Sequence, residues 1–165
     1  MPVSLLLFLV MPFLVGQTTS PDTSSWSATF DPSTPDATNV QWTLTLSAMY
    51  CGGYAIGDGV YISPEAPLAL PSTVSPDGVL FAGGAAVSSL NAGVLQVAPA
   101  PDLARSMICS QGPRTFTIEL LPSLGLTNPD AGTYAVDVRI GSASPPVTLP
   151  VTIQASADVT AGCTC

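Results

Sequence analysis

Few residues in this chain can carry chemistry, and their inventory excludes most mechanisms before any spacing is considered. There is no His and no Lys, Glu occurs only at Glu65 and Glu119, and Arg only at Arg105, Arg114 and Arg139. Without an imidazole, neither a Ser–His–Asp nor a Cys–His relay can be assembled, and a His-containing zinc site is excluded for the same reason. Without Lys there is no Schiff base and no P-loop. A pair of carboxylates is the remaining option. Glu65 and Glu119 lie in separate segments with no supporting motif, so an acid/base pair of the glycosidase kind is not expected. The expectation is a protein that is not an enzyme and takes no cofactor.

Two binding chemistries deserve the same test. Asp58, Asp77, Asp102 and Asp130 fall in turn-like segments and have the oxygen ligands that calcium prefers, but no ligand-dense D-x-D-x-D spacing occurs, and ordinary turn aspartates account for them. No metal site is expected. Trp26, Tyr50, Tyr54 and Tyr61 could form a flat stacking platform for a polysaccharide. Tyr50 and Tyr54 flank Cys51 in the Gly-rich run Y-C-G-G-Y, where packing around a disulfide explains them equally well.

The charge narrows the partners. A formal net charge of −8 with only three basic residues repels nucleic acid, whose binding depends on Lys and Arg displacing phosphate counterions. An anionic membrane surface is disfavoured likewise. A protein or a polysaccharide at the cell surface is the expected partner, its identity unknown.

The elements that would position these residues follow from hydropathy. Residues 3–15 form an apolar run of 13 residues (V-S-L-L-L-F-L-V-M-P-F-L-V). That is too short to span a bilayer as a helix but has the length of a signal-peptide core. Residues 1–16 are therefore expected to be a signal peptide or an N-terminal apolar anchor, which would also be the sole contact with a membrane. Residues 17–39, rich in Ser, Thr, Pro and Asp, read as a spacer, although Trp26 and Phe30 are unusual there and could pin a short first strand onto the fold. Residues 155–165 read as a flexible tail ending in Cys163-Thr164-Cys165.

Between them, residues 40–154 alternate with period two. In Q-W-T-L-T-L-S-A-M, Trp42, Leu44, Leu46 and Ala48 share one face while Thr43, Thr45 and Ser47 share the other. Runs at residues 57–64, 78–83, 86–90, 94–98, 115–120, 132–140 and 147–153 repeat the pattern, with frequent Gly and Pro between. One dry face and one wet face is what an antiparallel sheet packed on one side requires. The expected fold is all-β, a two-layer antiparallel sandwich of about seven to eight short strands. Pro150 lacks an N–H, so the last run is expected at an edge or a bulge.

The run G-L-T-N-P-D-A-G-T-Y-A-V-D-V-R, residues 125–139, resembles the last third of the Ig-like β-sandwich modules of secreted bacterial and archaeal cell-surface proteins, with its N-P-x-x-A-G-x-Y corner. The upstream strands fit the same pattern over residues 40–154, with departures at Ser63, Ala82 and Gln96. The resemblance implies an Ig-like sandwich, an extracellular or cell-surface location, and a structural or adhesive role. Within the corner, Asn128-Pro129 favours a turn, Gly132 would permit a positive φ, and Tyr134 would enter the core with its hydroxyl bonded to upstream backbone.

Four cysteines in an exported chain point to disulfides, with three connectivities. If chain direction reverses at each strand, the segments holding Cys51 and Cys109 lie at one end of the sandwich, so these two are expected to pair. Cys163 and Cys165 remain open between a local bond, an intermolecular bond and free thiols. A Cys51–Cys109 bond would contribute about 4 kcal/mol by loop entropy. Non-reducing peptide mapping should recover the two peptides joined; free thiols at both would overturn the pairing.

Overall fold

The computed structural model describes residues 23, 25–49, 59–102 and 113–155. Nine strands follow one another: β1 (Ser27–Asp31), β2 (Gln41–Met49), β3 (Val60–Pro64), β4 (Val79–Phe81), β5 (Gly84–Asn91), β6 (Val94–Pro99), β7 (Pro113–Leu120), β8 (Gly132–Ile140) and β9 (Val147–Ile153). They lie side by side in the order β1-β2-β7-β4-β5-β6-β3-β8-β9, every neighbouring pair antiparallel.

The fold is thus all-β and antiparallel as expected, but its layering and strand number differ. One continuous sheet of nine strands curls until it nearly closes, closer to a flattened barrel than to two separate layers. The physical cause lies in β5. Its first residues, Gly84 and Ala85, pair with β4, whereas residues 86–91 pair with β6. A single strand thereby belongs to both halves and joins them.

On the opposite side the Gln154 N–H donates to the Ser33 carbonyl, just beyond β9 and β1 (2.8 Å). A row of nine antiparallel strands leaves the first and last running in the same direction, so no antiparallel ladder can complete this seam.

The alternation read from sequence sorts the side chains. Trp42, Leu44, Leu46, Val60, Ile62, Phe81, Leu95, Ile118, Val136 and Val138 are fully buried, while the residues between them face outward. Phe30 stacks on Trp42 with ring centroids 4.3 Å apart, and Phe81 on Phe116 at 5.0 Å. Pro150 is exposed on β9, a strand whose ladder is with β8 alone, which spares the sheet interior a missing donor.

The boundary at residue 40 requires correction. Residues 26–39, read as spacer, belong to the folded unit: Trp26 and Phe30 are buried, and the Trp26 indole N–H donates to the Ser47 carbonyl (2.9 Å). The leader over residues 1–16 and the tail from residue 156 lie outside the described residues.

Two hairpins carry a conformational cost. The β4–β5 and β5–β6 connections are two-residue turns with positive φ at both positions, Ala82 (49°) with Gly83 (75°), and Ala92 (50°) with Gly93 (79°). That is the type I′ geometry, which suits Asn or Gly at the first position and disfavours a Cβ-bearing residue without a local polar group. Ala82→Asn and Ala92→Asn are each expected to raise unfolding free energy by about 0.5–1 kcal/mol. Chemical denaturation reads this directly, and unchanged or lowered midpoints would contradict it.

Candidate functional site

The corner around residues 121–134 holds Asn128, one of two buried polar side chains among the described residues. After β7 the chain makes a turn of 3-10 helix at Pro122–Leu124, ended by Gly125 in the left-handed region (φ 69°). Val40 N–H then donates to the Leu126 carbonyl and Asn128 N–H to the Ala37 carbonyl (3.0 and 2.9 Å), while Thr38 and Thr127 form an isolated bridge. This lays the segment against the β1–β2 loop.

Asn128, 4% exposed, holds that contact from within. Its Nδ2 donates to the carbonyls of Pro32 (2.7 Å) and Thr34 (2.9 Å). Its Oδ1 is buried without a hydrogen-bond partner. The orientation of the amide is fixed by its surroundings, since two carbonyls can accept only from the nitrogen.

Tyr134 completes the corner. It is half-buried against the core, and its hydroxyl donates to the Asp130 carbonyl at 2.7 Å. Gly132 has an ordinary φ, not the positive value expected of it. Its need is steric: a Cβ there would meet the Tyr134 hydroxyl oxygen at 3.2 Å and the ring at 3.4 Å. The glycine is where the tyrosine ring lies down.

The outer face of the β6-β3-β8-β9 half holds the remaining described candidates. Tyr61 lies between Gln96 of β6 and Arg139 of β8. The Arg139 guanidinium carbon sits 4.5 Å from the Tyr61 ring centroid, a cation–π contact, and its Nη1 donates to the Ser142 carbonyl (3.3 Å). One face of the ring proposed for sugar stacking is therefore occupied by the chain itself. Tyr50, Tyr54, Cys51, Cys109, Cys163, Cys165 and Asp58 lie outside the described residues. The strands leading to Cys51 and Cys109 are nevertheless partners, with Met49 opposite Pro113.

The carboxylates stand apart. Glu119, on the outer face of β7, accepts from Gln41 Nε2 (3.3 Å) and Thr117 Oγ1 (3.4 Å). Glu65 follows β3 in the other half of the sheet. Among the described residues no three His, Cys, Asp or Glu side chains gather in a metal-holding group.

Sequence reasoning did not find the Arg139–Tyr61 contact, nor the hydrogen bond from Thr148 Oγ1 to Asp137 (2.6 Å). Both are cross-strand pairs, and their signal exists only once the register of β3, β8 and β9 is known.

No protein-family model matches the chain, and no curated protein matches it. Among solved structures it is similar to one described as the crystal structure of BslA, a bacterial hydrophobin. Identity is 21%, covering 79% of this chain and 100% of that one, with a TM-score of 0.44.

Removing the Asn128 amide strands the Pro32 and Thr34 carbonyls. Asn128→Ala is expected to cost about 2 kcal/mol of stability, the net worth of two part-buried hydrogen bonds. Asn128→Asp, which sets a carboxylate against two carbonyl oxygens, should cost at least as much at neutral pH. Urea unfolding of both variants measures this, and a near-neutral Asp variant would show that the amide nitrogen is not the required group.

Proposed function

We propose that the chain is a non-catalytic structural or adhesive all-β module of the cell exterior, its single curled sheet a variant of the Ig-like type. The observation that carries the reading is the use made of polar side chains drawn toward the fold. Asn128, Tyr134 and Trp26 donate to backbone carbonyls of the chain itself, Glu119 is held by two neighbours, and Arg139 lies on Tyr61. These groups hold loops and strands in place, as a scaffold requires.

Strand order supports the Ig-like part. β1-β2-β7-β4 in one half and β3-β8-β9 in the other correspond to the ABED and CFG sheets of that architecture. The departure is in the middle. After β3 the chain crosses to β4, returns through β5 to place β6 beside β3, and only then enters β7. The corner from Asn128 to Tyr134, with its hydroxyl bonded to backbone four residues upstream, supports the same family of folds.

An extracellular setting rests on the apolar leader and on a surface with few charges. Only 8% of residues are Asp, Glu, Lys or Arg, against about 25% in typical soluble domains.

Fractionation of cells that make the protein should recover it in the medium or on the cell surface, where protease added to intact cells removes it. Recovery from the cytosol alone would overturn the proposal. A glycan array supplies the functional contrast: no binding that depends on Tyr54 or Tyr61 is expected. Binding abolished by Tyr54→Ala and Tyr61→Ala would instead make the protein a carbohydrate-binding module.

A further inference from the structure

A depression of about 350 Å³ opens beside the edge strand, lined by Glu65, Ala66, Pro67, Thr133, Tyr134, Ala135, Thr148 and Pro150. Its place follows from the ladders. The Glu65 N–H donates to the Ala135 carbonyl (3.0 Å), setting the 65–67 segment beside β8, and Ala135 is paired with Pro150 of β9.

The chemistry of this lining is lopsided. The Tyr134 hydroxyl proton is donated to the Asp130 carbonyl, and the Thr148 hydroxyl proton to Asp137. Both oxygens are left as acceptors. Pro67 and Pro150 contribute walls without an N–H. The Glu65 carboxylate, acceptor-only when ionised, makes no hydrogen bond or ion pair among the described residues, unlike Glu119. Asp137 adds a second negative charge behind Thr148. The two described cations lie elsewhere: Arg139 is turned to Tyr61 and Ser142, and Arg114 stands on β7 in the other half of the sheet.

We propose that this depression receives the cationic side chain of a partner, an arginine or lysine whose aliphatic stem lies along Pro67, Pro150 and the Tyr134 ring while its head meets Glu65. A ligand with several donors, a positive charge and an apolar stem matches a lining in which the Tyr134 and Thr148 hydroxyl protons are already given away and the Glu65 carboxylate is left to accept. A guanidinium or ammonium on a methylene chain has all three properties. The net charge of −8 draws such a group toward the protein at low salt. This inference does not depend on the extracellular reading, because the lining would bind the same group in any compartment.

The test titrates the full chain, isotopically labelled, with N-acetyl-arginine methylamide and with its neutral isostere N-acetyl-citrulline methylamide, following amide resonances by NMR. Saturable shifts confined to the amides of Glu65, Ala66, Thr133, Tyr134, Ala135, Thr148 and Leu149 are expected for the arginine compound, weakening as salt is raised. The citrulline compound should bind about fivefold more weakly, and Glu65→Gln should lower arginine affinity by about the same factor. Glu65 is exposed, so this variant keeps the fold, and the remaining resonances report that it has. Absence of saturable shifts, equal binding of the two compounds, or an unaltered Glu65→Gln variant would each overturn the proposal.

Discussion

Three consecutive carbonyls, from Pro32, Ser33 and Thr34, are all claimed from across the molecule. The outer two accept from the Asn128 amide, and the middle one from the Gln154 N–H. A loop that would otherwise satisfy its backbone with water is fastened both to the corner before β8 and to the end of β9. The seam that antiparallel pairing cannot close is held here. All three bonds restrain the same short loop, so each lowers the ordering cost of the others. The Thr38–Thr127 bridge and the Val40–Leu126 bond extend the same fastening into the start of β2.

The opposite side of the barrel is joined by different means. There the link is the covalent continuity of β5, whose pairing passes from β4 to β6 between Ala85 and Ala86. One side therefore depends on the backbone ladder of a single strand, and the other on a side-chain amide and a loop. The interior between them is apolar and filled by alternating residues of both halves. The outward faces are set by short polar side chains in cross-strand pairs, such as Asp137 with Thr148 and Thr133 with Thr152 (3.5 Å).

Much of this was legible in the residues themselves. Period-two alternation located eight of the nine strands, most of which have a dry face that repeats, such as Phe116, Ile118 and Leu120 in β7, whereas β5 buries only Ala86. The first strand was harder, since in S-A-T-F-D only Phe30 is large and the surrounding composition is that of a linker. Gly132 shows the limit of local reasoning. A glycine before a strand suggests a turn conformation, yet the requirement comes from the tyrosine two residues on, whose ring covers it. The Tyr61–Arg139 contact and the acceptor-lined depression depend on register and on where hydroxyl protons go, and neither is encoded in spacing along one strand. The joining of two layers into one curled sheet was invisible for a related reason: nothing in G-A-A-V-S-S-L-N marks the point at which the partner changes.

The parallel course of β1 and β9 has a mechanical meaning. The chain enters β1 at one pole of the barrel and leaves β9 at the other, so tension applied along the polypeptide passes through the long axis of the module. Such a pull slides β1 along β2 and β9 along β8, lengthwise to their ladders, and loads the hydrogen bonds of each ladder together instead of peeling them one by one. Under such a load the β1–β2 and β8–β9 ladders would be the first to bear the force.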